Sequence, residues 1–292
     1  MNESAPRSPA ASVTDLATAA ASDVATNAGS TCRIDPRHVQ SLLGALSPRF
    51  TVTALAECVS TSTVLLERAA QGAPSGSVLV ADRQTGGRGR RGRSWLSTPE
   101  ASLTFSLLWC FDGGVARLAG LSLAVGLAVA RGLANSGVGG VGLKWPNDIL
   151  LEGGKVGGIL VDLDTAATST RAVIGIGLNL QLPPDGNEEF LHRPAALAQV
   201  MAPVPDRQLL LAQLLTDLAE IMDRFEDGGF AALRNDWQAY HVWQGRQVRL
   251  LDGVLVDRQG LCLGADSDGA LLLQTEAGIE RCLSGDVSLR AA

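Results

Sequence analysis

The sequence predicts an α+β fold, in which a mixed β-sheet domain with flanking helices is followed by a small all-β domain. Two observations carry this. Up to residue 241, apolar runs of strand length interleave with longer runs of helical periodicity, so sheet and helices share one core. From residue 242 the texture changes to short apolar runs punctuated by Asp-Gly and Gly turns, which read as a small five-stranded β-barrel of SH3-like type. The organisation expected is a tail at 1–31, a main domain at 32–241 and a β domain at 242–292.

Residues 1–31 are rich in Ala, Ser and Thr and hold no aromatic. They cannot bury enough apolar surface to offset their ordering entropy, so they read as a disordered tail. Asp35 caps a short helix that opens with Pro36. Residues 51–60 (TVTALAECVS) form a strand feeding a helix at 60–72, whose start is marked by Ser60, Thr61 and Ser62 and whose end is marked by Gly72. Residues 76–85 (GSVLVADRQT) are a buried strand, residues 101–111 (ASLTFSLLWCF) alternate as another, and 117–135 is an apolar helix. Residues 141–164 give two strands around a Glu-Gly-Gly turn, and 171–180 (RAVIGIGLNL) give one more. The segment that begins at Pro205 carries an amphipathic helix, and a second follows Gly229.

Hydrophobic residues make up 46% of the chain, enough for a substantial core, and the net charge of −6 argues against a surface devoted to nucleic acid. The five cysteines (Cys32, Cys58, Cys110, Cys262, Cys282) are widely spaced with no C-x-x-C pair, and only three histidines accompany them. Reduced thiols in the cytoplasm fit this better than a zinc site or disulfides, and no protein-held metal is read. The longest apolar run, 118–130, has thirteen residues. A bilayer span needs about 20, so a buried helix and no membrane association are expected. No basic segment followed by an apolar core opens the chain, so no signal peptide is read.

Against that acidic background, residues 84–95 (QTGGRGRRGRSW) place four glycines and four arginines between Gly86 and Arg93. Glycines let backbone approach a ligand, and arginines offer planar charged forks for phosphate and carboxylate. A loop that closes over an anion, directly after a buried strand, follows from the combination. In residues 144–150 (KWPNDIL) Pro146 breaks the strand and displays polar groups at its end. Lys144 there can meet a phosphate, and Asp148 can hold a metal-linked or amine proton. In residues 153–160 (GGKVGGIL) Lys155 sits between glycine pairs, but Val156 follows it where a Walker A loop requires Ser or Thr. Residues 175–179 (GIGLN) lack the following helix of a dinucleotide fingerprint and leave Asn179 at a strand end, suited to base recognition. No Ser-His-Asp arrangement and no H-E-x-x-H is present. Arg, Lys, Asn and backbone amides without a nucleophile fit positioning and charge neutralisation around a nucleotide phosphate.

GRGRRGRSW, KWPNDIL and GGKVGGIL, in this order and spacing, resemble the biotin protein ligases over roughly residues 33–292. The resemblance implies a two-step reaction: biotin and MgATP form biotinyl-5′-AMP and pyrophosphate, and the biotinyl group passes to a lysine of a biotin carboxyl carrier domain. The implied partner is the carrier domain of acetyl-CoA carboxylase or a related biotin-dependent carboxylase, and the oligomeric state, monomer or homodimer, stays open. It implies that Ser60, Thr61, Ser62 and Gln84 meet the ureido ring, that Arg88, Gly89 and Arg90 hold carboxylate and adenylate, and that Lys155 meets carboxylate and phosphate. Lys144, Asp148, Lys155 and Arg90 are thus the expected catalytic residues. Trp95, Gly157, Gly158 and Asn179 complete the expected ligand site, the glycine pair by opening a slot for biotin's apolar body. The chain departs from the family where Val59 stands for an acid and Ser62 for an amide, which Ser62 does not match in reach. Bifunctional members carry a winged helix-turn-helix at the N-terminus, which residues 1–31 cannot form, so a ligase without repressor activity is expected. Rival readings are a lipoate or octanoate protein ligase of the same superfamily, a nucleic-acid-binding protein that uses the Arg/Gly loop, and a biotin-binding regulator without catalysis. Lys144, Asp148 and Lys155 argue against the last.

Overall fold

The structure, a computed structural model, describes residues 32–165, 169–182, 193–252, 256–283 and 287–291. The tail expected at 1–31 lies outside them. Asp35 accepts a hydrogen bond from the Arg37 amide at 2.9 Å, and Pro36 opens helix α1 (Pro36–Leu43). Strand β1 (Thr51–Cys58) leads into α2 (Thr61–Ala70), capped by Ser60, and then into β2 (Ser77–Gln84) parallel to β1. Strands β3 (Ser102–Asp112), β4 (Val141–Lys144), β5 (Asp148–Leu151), β6 (Gly154–Thr165) and β7 (Ser169–Asn179) complete a mixed seven-stranded sheet in the order β1-β2-β3-β7-β6-β5-β4. Every pairing after β1–β2 is antiparallel.

The sheet has two unlike faces. One packs Phe105, Leu107, Ile174, Ile176 and Val156 against helices α3 (Leu121–Asn135) and α4 (Arg207–Gly228) in the main core. The other carries only a small cluster, Leu65 and Ala69 of α2 on Leu79, Leu108 and Val173. Beyond that cluster, toward the N-terminus of α2, this second face is where the site lies.

Several sequence expectations change. Residues 141–164 form three strands, because Pro146 makes a second hairpin between β4 and β5 in addition to the turn at Glu152 and Gly153. Lys155 consequently lies in a strand. β3 does not alternate: it is buried on both faces from Ser102 to Trp109, since α2 covers one side and the main core the other. The helix expected at 117–135 is broken at Gly120 (φ +80°), with a 3-10 turn over Val115–Leu118 before α3. Taken together, Val115–Asn135 spans 21 residues and is apolar enough to cross a bilayer, more than the thirteen-residue run counted above. In the fold its α3 portion is a core helix, buried on nearly all sides between the sheet and α4. The segment after Gly229 is a 3-10 turn followed by α5 (Arg234–Tyr240).

Past α5 the five strands expected are found: β8 (Gln247–Asp252), β9 (Val256–Ala265), β10 (Leu271–Thr275), β11 (Gly278–Cys282) and β12 (Val287–Ala291). They form an antiparallel sheet in the order β11-β10-β9-β8-β12. The segment entering it lies along β4, with His241 bridged to Leu143 and the Val242 amide donating to the Leu143 carbonyl at 3.0 Å. The Trp145 indole N–H donates to the Gly269 carbonyl at 3.1 Å, which ties the Pro146 hairpin to the turn before β10.

His241 stacks on Trp237 with ring centroids 4.6 Å apart, and burial, opposed in part by Gln244, pushes its imidazole down to about 4. The unfolded chain therefore binds a proton below about pH 6.5 that the folded chain refuses until about pH 4. Stability is full above pH 6.5 and falls as the pH drops through this window, by about 2 kcal/mol between pH 7 and pH 5. Denaturant titrations of the wild type and His241→Phe at both pH values check this. The phenyl ring keeps the stack and cannot titrate, so the variant should lose distinctly less stability than the wild type.

Candidate active site

A cavity of about 560 Å³ opens on the second face of the sheet. Its floor is made by strands that bring almost no side chains. Gly177 pairs with Gly158 on one side and Thr104 on the other, and Gly175 pairs with Leu160 and Ser106. A Cβ at Gly175 would come within 2.5 Å of the Ser62 hydroxyl, and one at Gly177 would run into the indole of Trp95. Glycine is required here for close approach across an otherwise regular strand.

Next to Gly175 stands a cluster of hydroxyls. Ser60 caps α2, and the Thr61 amide and hydroxyl donate to Gln84 Oε1 at 2.7 and 3.1 Å. Ser106, fully buried, lies 2.8 Å from the Thr61 hydroxyl and 3.0 Å from that of Ser62. The Gln84 backbone is fixed by an N–H to Ser97 Oγ at 2.7 Å. Thr104 lines the cavity, and its buried Oγ1 has no partner among the described residues.

Next to Gly177 and Gly158 the lining turns cationic. The Arg/Gly loop folds back on itself through the Gly89 amide to Arg93 O and the Trp95 amide to Gly87 O, with Arg91 in the left-handed region (φ 61°). Arg88 pairs with Asp162 of β6 at 2.8 Å, and Arg90 donates to Asn147 Oδ1 at 3.2 Å. Lys155 reaches the same place because β6 carries a bulge opposite Ile149 and Leu150. Val156 is in the main core, a Cβ at Gly157 would meet Leu178 and Ile149, and a Cβ at Gly158 would meet Lys155 Nζ. The extra residue turns Lys155 onto the cavity face. Its ammonium lies 2.5 Å from Asp148 Oδ1, and Lys144 Nζ lies 3.7 Å from Asp148 Oδ2.

Of the residues expected in the site, Ser60, Thr61, Ser62, Gln84, Arg88, Gly89, Arg90, Trp95, Lys155, Gly158 and Asn179 line this one cavity. Asn179 does so with its amide N–H₂ anchored on the Ala195 carbonyl at 3.1 Å. Three do not line it. Gly157 faces the main core, on the other side of the bulge, so Gly175 and Gly177 open the slot in its place. Lys144 is 6% exposed and, like Asp148, stands behind Lys155. Sequence reasoning passed over Thr104, Ser106, Gly175, Gly177 and Asp162. The period of two in SLTFS and GIG puts the first four on one face, but only the pairing of β3 with β7 brings them together.

The signature of the biotin/lipoate A/B protein ligase family matches residues 55–179, and that of the biotin protein ligase C-terminal domain matches residues 245–290. A biotin–[acetyl-CoA-carboxylase] ligase of Mycobacterium tuberculosis is 34% identical over 260 residues, 87% of this chain and 95% of that protein. The chain belongs to the biotin protein ligase family. The bifunctional ligase/repressor of Escherichia coli is 36% identical over 80% of this chain and 72% of its own length. Among solved structures, a biotin protein ligase from Aquifex aeolicus in complex with biotin and ATP superposes with a TM-score of 0.72 at 32% identity, covering 83% of this chain and 99% of that one. This membership favours ligation over the nucleic-acid reading of the Arg/Gly loop, whose Arg88 and Arg90 are both tied to groups around the cavity.

The Arg88–Asp162 pair is partly exposed, 43% and 26%, and such pairs contribute at most about 1 kcal/mol. Asp162→Ala should therefore loosen the loop without unfolding the sheet. Tryptic cleavage between Arg88 and Arg93 should quicken about two- to fivefold, with the melting temperature nearly unchanged.

Proposed function

We propose that the protein joins biotin to a carrier lysine in two steps at this cavity. In the first, a biotin carboxylate oxygen attacks the α-phosphorus of ATP and pyrophosphate leaves. In the second, the carrier lysine's amine attacks the acyl carbon of biotinyl-5′-AMP, and AMP leaves with the electron pair of the broken C–O bond. The observation that carries the reading is the division of the cavity along β7, with neutral hydroxyls beside Gly175 and cations beside Gly177. Biotin has the same division, a ureido ring at one end and a carboxylate at the other.

On this reading Ser60, Thr61, Ser62 and Gln84, backed by Ser106, hold the ureido N–H and C=O groups, and the glycine floor receives the apolar body. Arg88, the Gly89 backbone, Arg90 and Lys155 draw carboxylate and α-phosphate together by offsetting their repulsion. Asn179 and Trp95 border the nucleotide side, and Asp148 and Lys144 act from behind Lys155. Magnesium enters with the nucleotide, whose phosphates supply its hard oxygen ligands. The acceptor is the carrier domain of a biotin-dependent carboxylase such as acetyl-CoA carboxylase. The five cysteines are free thiols, in keeping with a cytoplasmic setting. The chemistry is assigned to residues 32–241 and a bracing role to residues 242–292. A lipoyl or octanoyl group has no use for a hydroxyl cluster, and DNA binding has no support in a chain of net charge −6.

Mass spectrometry of a carrier domain incubated with the protein, biotin and MgATP tests the reading. One lysine should gain one biotinyl group, and only when ATP is present; no gain, or gain without ATP, contradicts it. Lys155→Ala should slow pyrophosphate release by about 100-fold, since a charge-assisted contact to a reacting phosphate contributes a few kcal/mol. Its circular dichroism should match the wild type, because the side chain fills no core space.

A further inference from the structure

Lys144 does not reach the cavity, yet a lysine is rarely buried without a task that compensates its lost hydration. Among the neighbours of its ammonium are two of opposite kind. Asp148 Oδ2 is 3.7 Å away, across the β4–β5 register pair, and the ring of Trp243 lies 5.1 Å from Nζ. Asp148 in turn gives its other oxygen to Lys155 at 2.5 Å. One carboxylate thus stands between a buried cation and a cavity-lining one.

A carboxylate this close to Lys155 has a drawback. Alone, the pair would be neutral, and the aspartate would compete with any phosphate for the lysine's N–H groups. A second cation on the far oxygen removes that cancellation and leaves the three side chains with one net positive charge, presented at the cavity. We propose that Lys144 and Trp243 are positioning residues for Lys155, acting through Asp148. Lys144 neutralises the aspartate from behind, and the indole face holds Lys144 there by a cation–π contact.

The surrounding fold is built to keep this arrangement. The Val242 amide bonds the Leu143 carbonyl, so Trp243 is carried on a segment fixed to β4 immediately beside Lys144. Trp145, the residue after Lys144, is anchored by its indole N–H on Gly269. The segment leading into the C-terminal sheet and the sheet's own turn therefore grip the hairpin that carries both Lys144 and Asp148. On this account residues 242–292 contribute to the first chemical step without touching the nucleotide.

The inference rests on the ligase reading, and the wild-type control separates the two: a wild type that releases no pyrophosphate from biotin and MgATP overturns both. With an active wild type, Lys144→Met should lower kcat for pyrophosphate release about tenfold or more while the KM for biotin moves less than about threefold. Lys144→Arg, which keeps the charge, should recover most of the loss. Adding Asp148→Asn to Lys144→Met removes the uncancelled anion and should raise kcat above that of the single variant, a rescue that a merely structural role for Lys144 does not produce. A folded Lys144→Met with wild-type kcat, or a double variant no faster than the single, overturns the proposal. Should Lys144→Met fail to fold by circular dichroism, Trp243→Leu and Trp243→Phe decide. The leucine variant should lose kcat and the phenylalanine variant keep it, and equal kcat in the two overturns the proposal.

Discussion

A ligand can lie on the face of a β-sheet only where neighbouring strands present no side chains, and Gly158, Gly175 and Gly177 meet that condition on two paired strands. The rest of the site depends on this bare patch. Glycine in a strand costs roughly 0.5–1 kcal/mol against alanine, and three of them beside one another weaken the sheet where it is least covered. The main core on the opposite face, with α3 and α4 packed on Phe105, Ile174 and Ile176, offsets that loss. One face thus holds the sheet together while the other is kept open.

Around the patch, polar groups are placed by backbone devices more than by loops. The N-terminus of α2 brings Thr61 and Ser62 to Ser106, and Gln84 at the end of β2 orders them. A single bulge in β6 brings Lys155 to the cavity while Val156 stays in the core. The arginines alone are on a loop, and their contacts with Asp162 and Asn147 are of the partly exposed kind that a substrate anion can replace. On the proposed reading, fixed hydroxyls at one end and replaceable arginines at the other suit a substrate with a neutral ring and an anionic end.

Much of this was legible in the sequence, for identifiable reasons. Asp35-Pro36 and Ser60 are local capping signals, and they cap α1 and α2 as read. The Arg/Gly loop and Lys155 stand out because charges and glycines interrupt apolar strands, and they converge on one cavity. Gly157 and Gly158, as neighbours in a strand, point to opposite faces, so only one can open the slot. The bulge before them puts Lys155 on the face of Gly158, and a bulge leaves no trace in an apolar run. Ser106 and Thr104 look like ordinary strand residues, because their role comes from the long-range pairing of β3 with β7. Lys144 read as a phosphate contact because a lysine beside a turn is usually exposed, and only the fold shows Trp243 and Asp148 enclosing it.

The central claim is that biotin lies on the glycine floor formed by Gly158, Gly175 and Gly177. Calorimetric titration of biotin into the wild type and Gly177→Ala tests it most directly, because the added methyl group, without changing charge, pushes against the Trp95 indole and narrows the floor. The account predicts one biotin per chain for the wild type and an affinity at least about tenfold weaker for Gly177→Ala, with circular dichroism showing both unliganded proteins folded. Equal affinities in the two proteins, or no binding to the wild type, would contradict it.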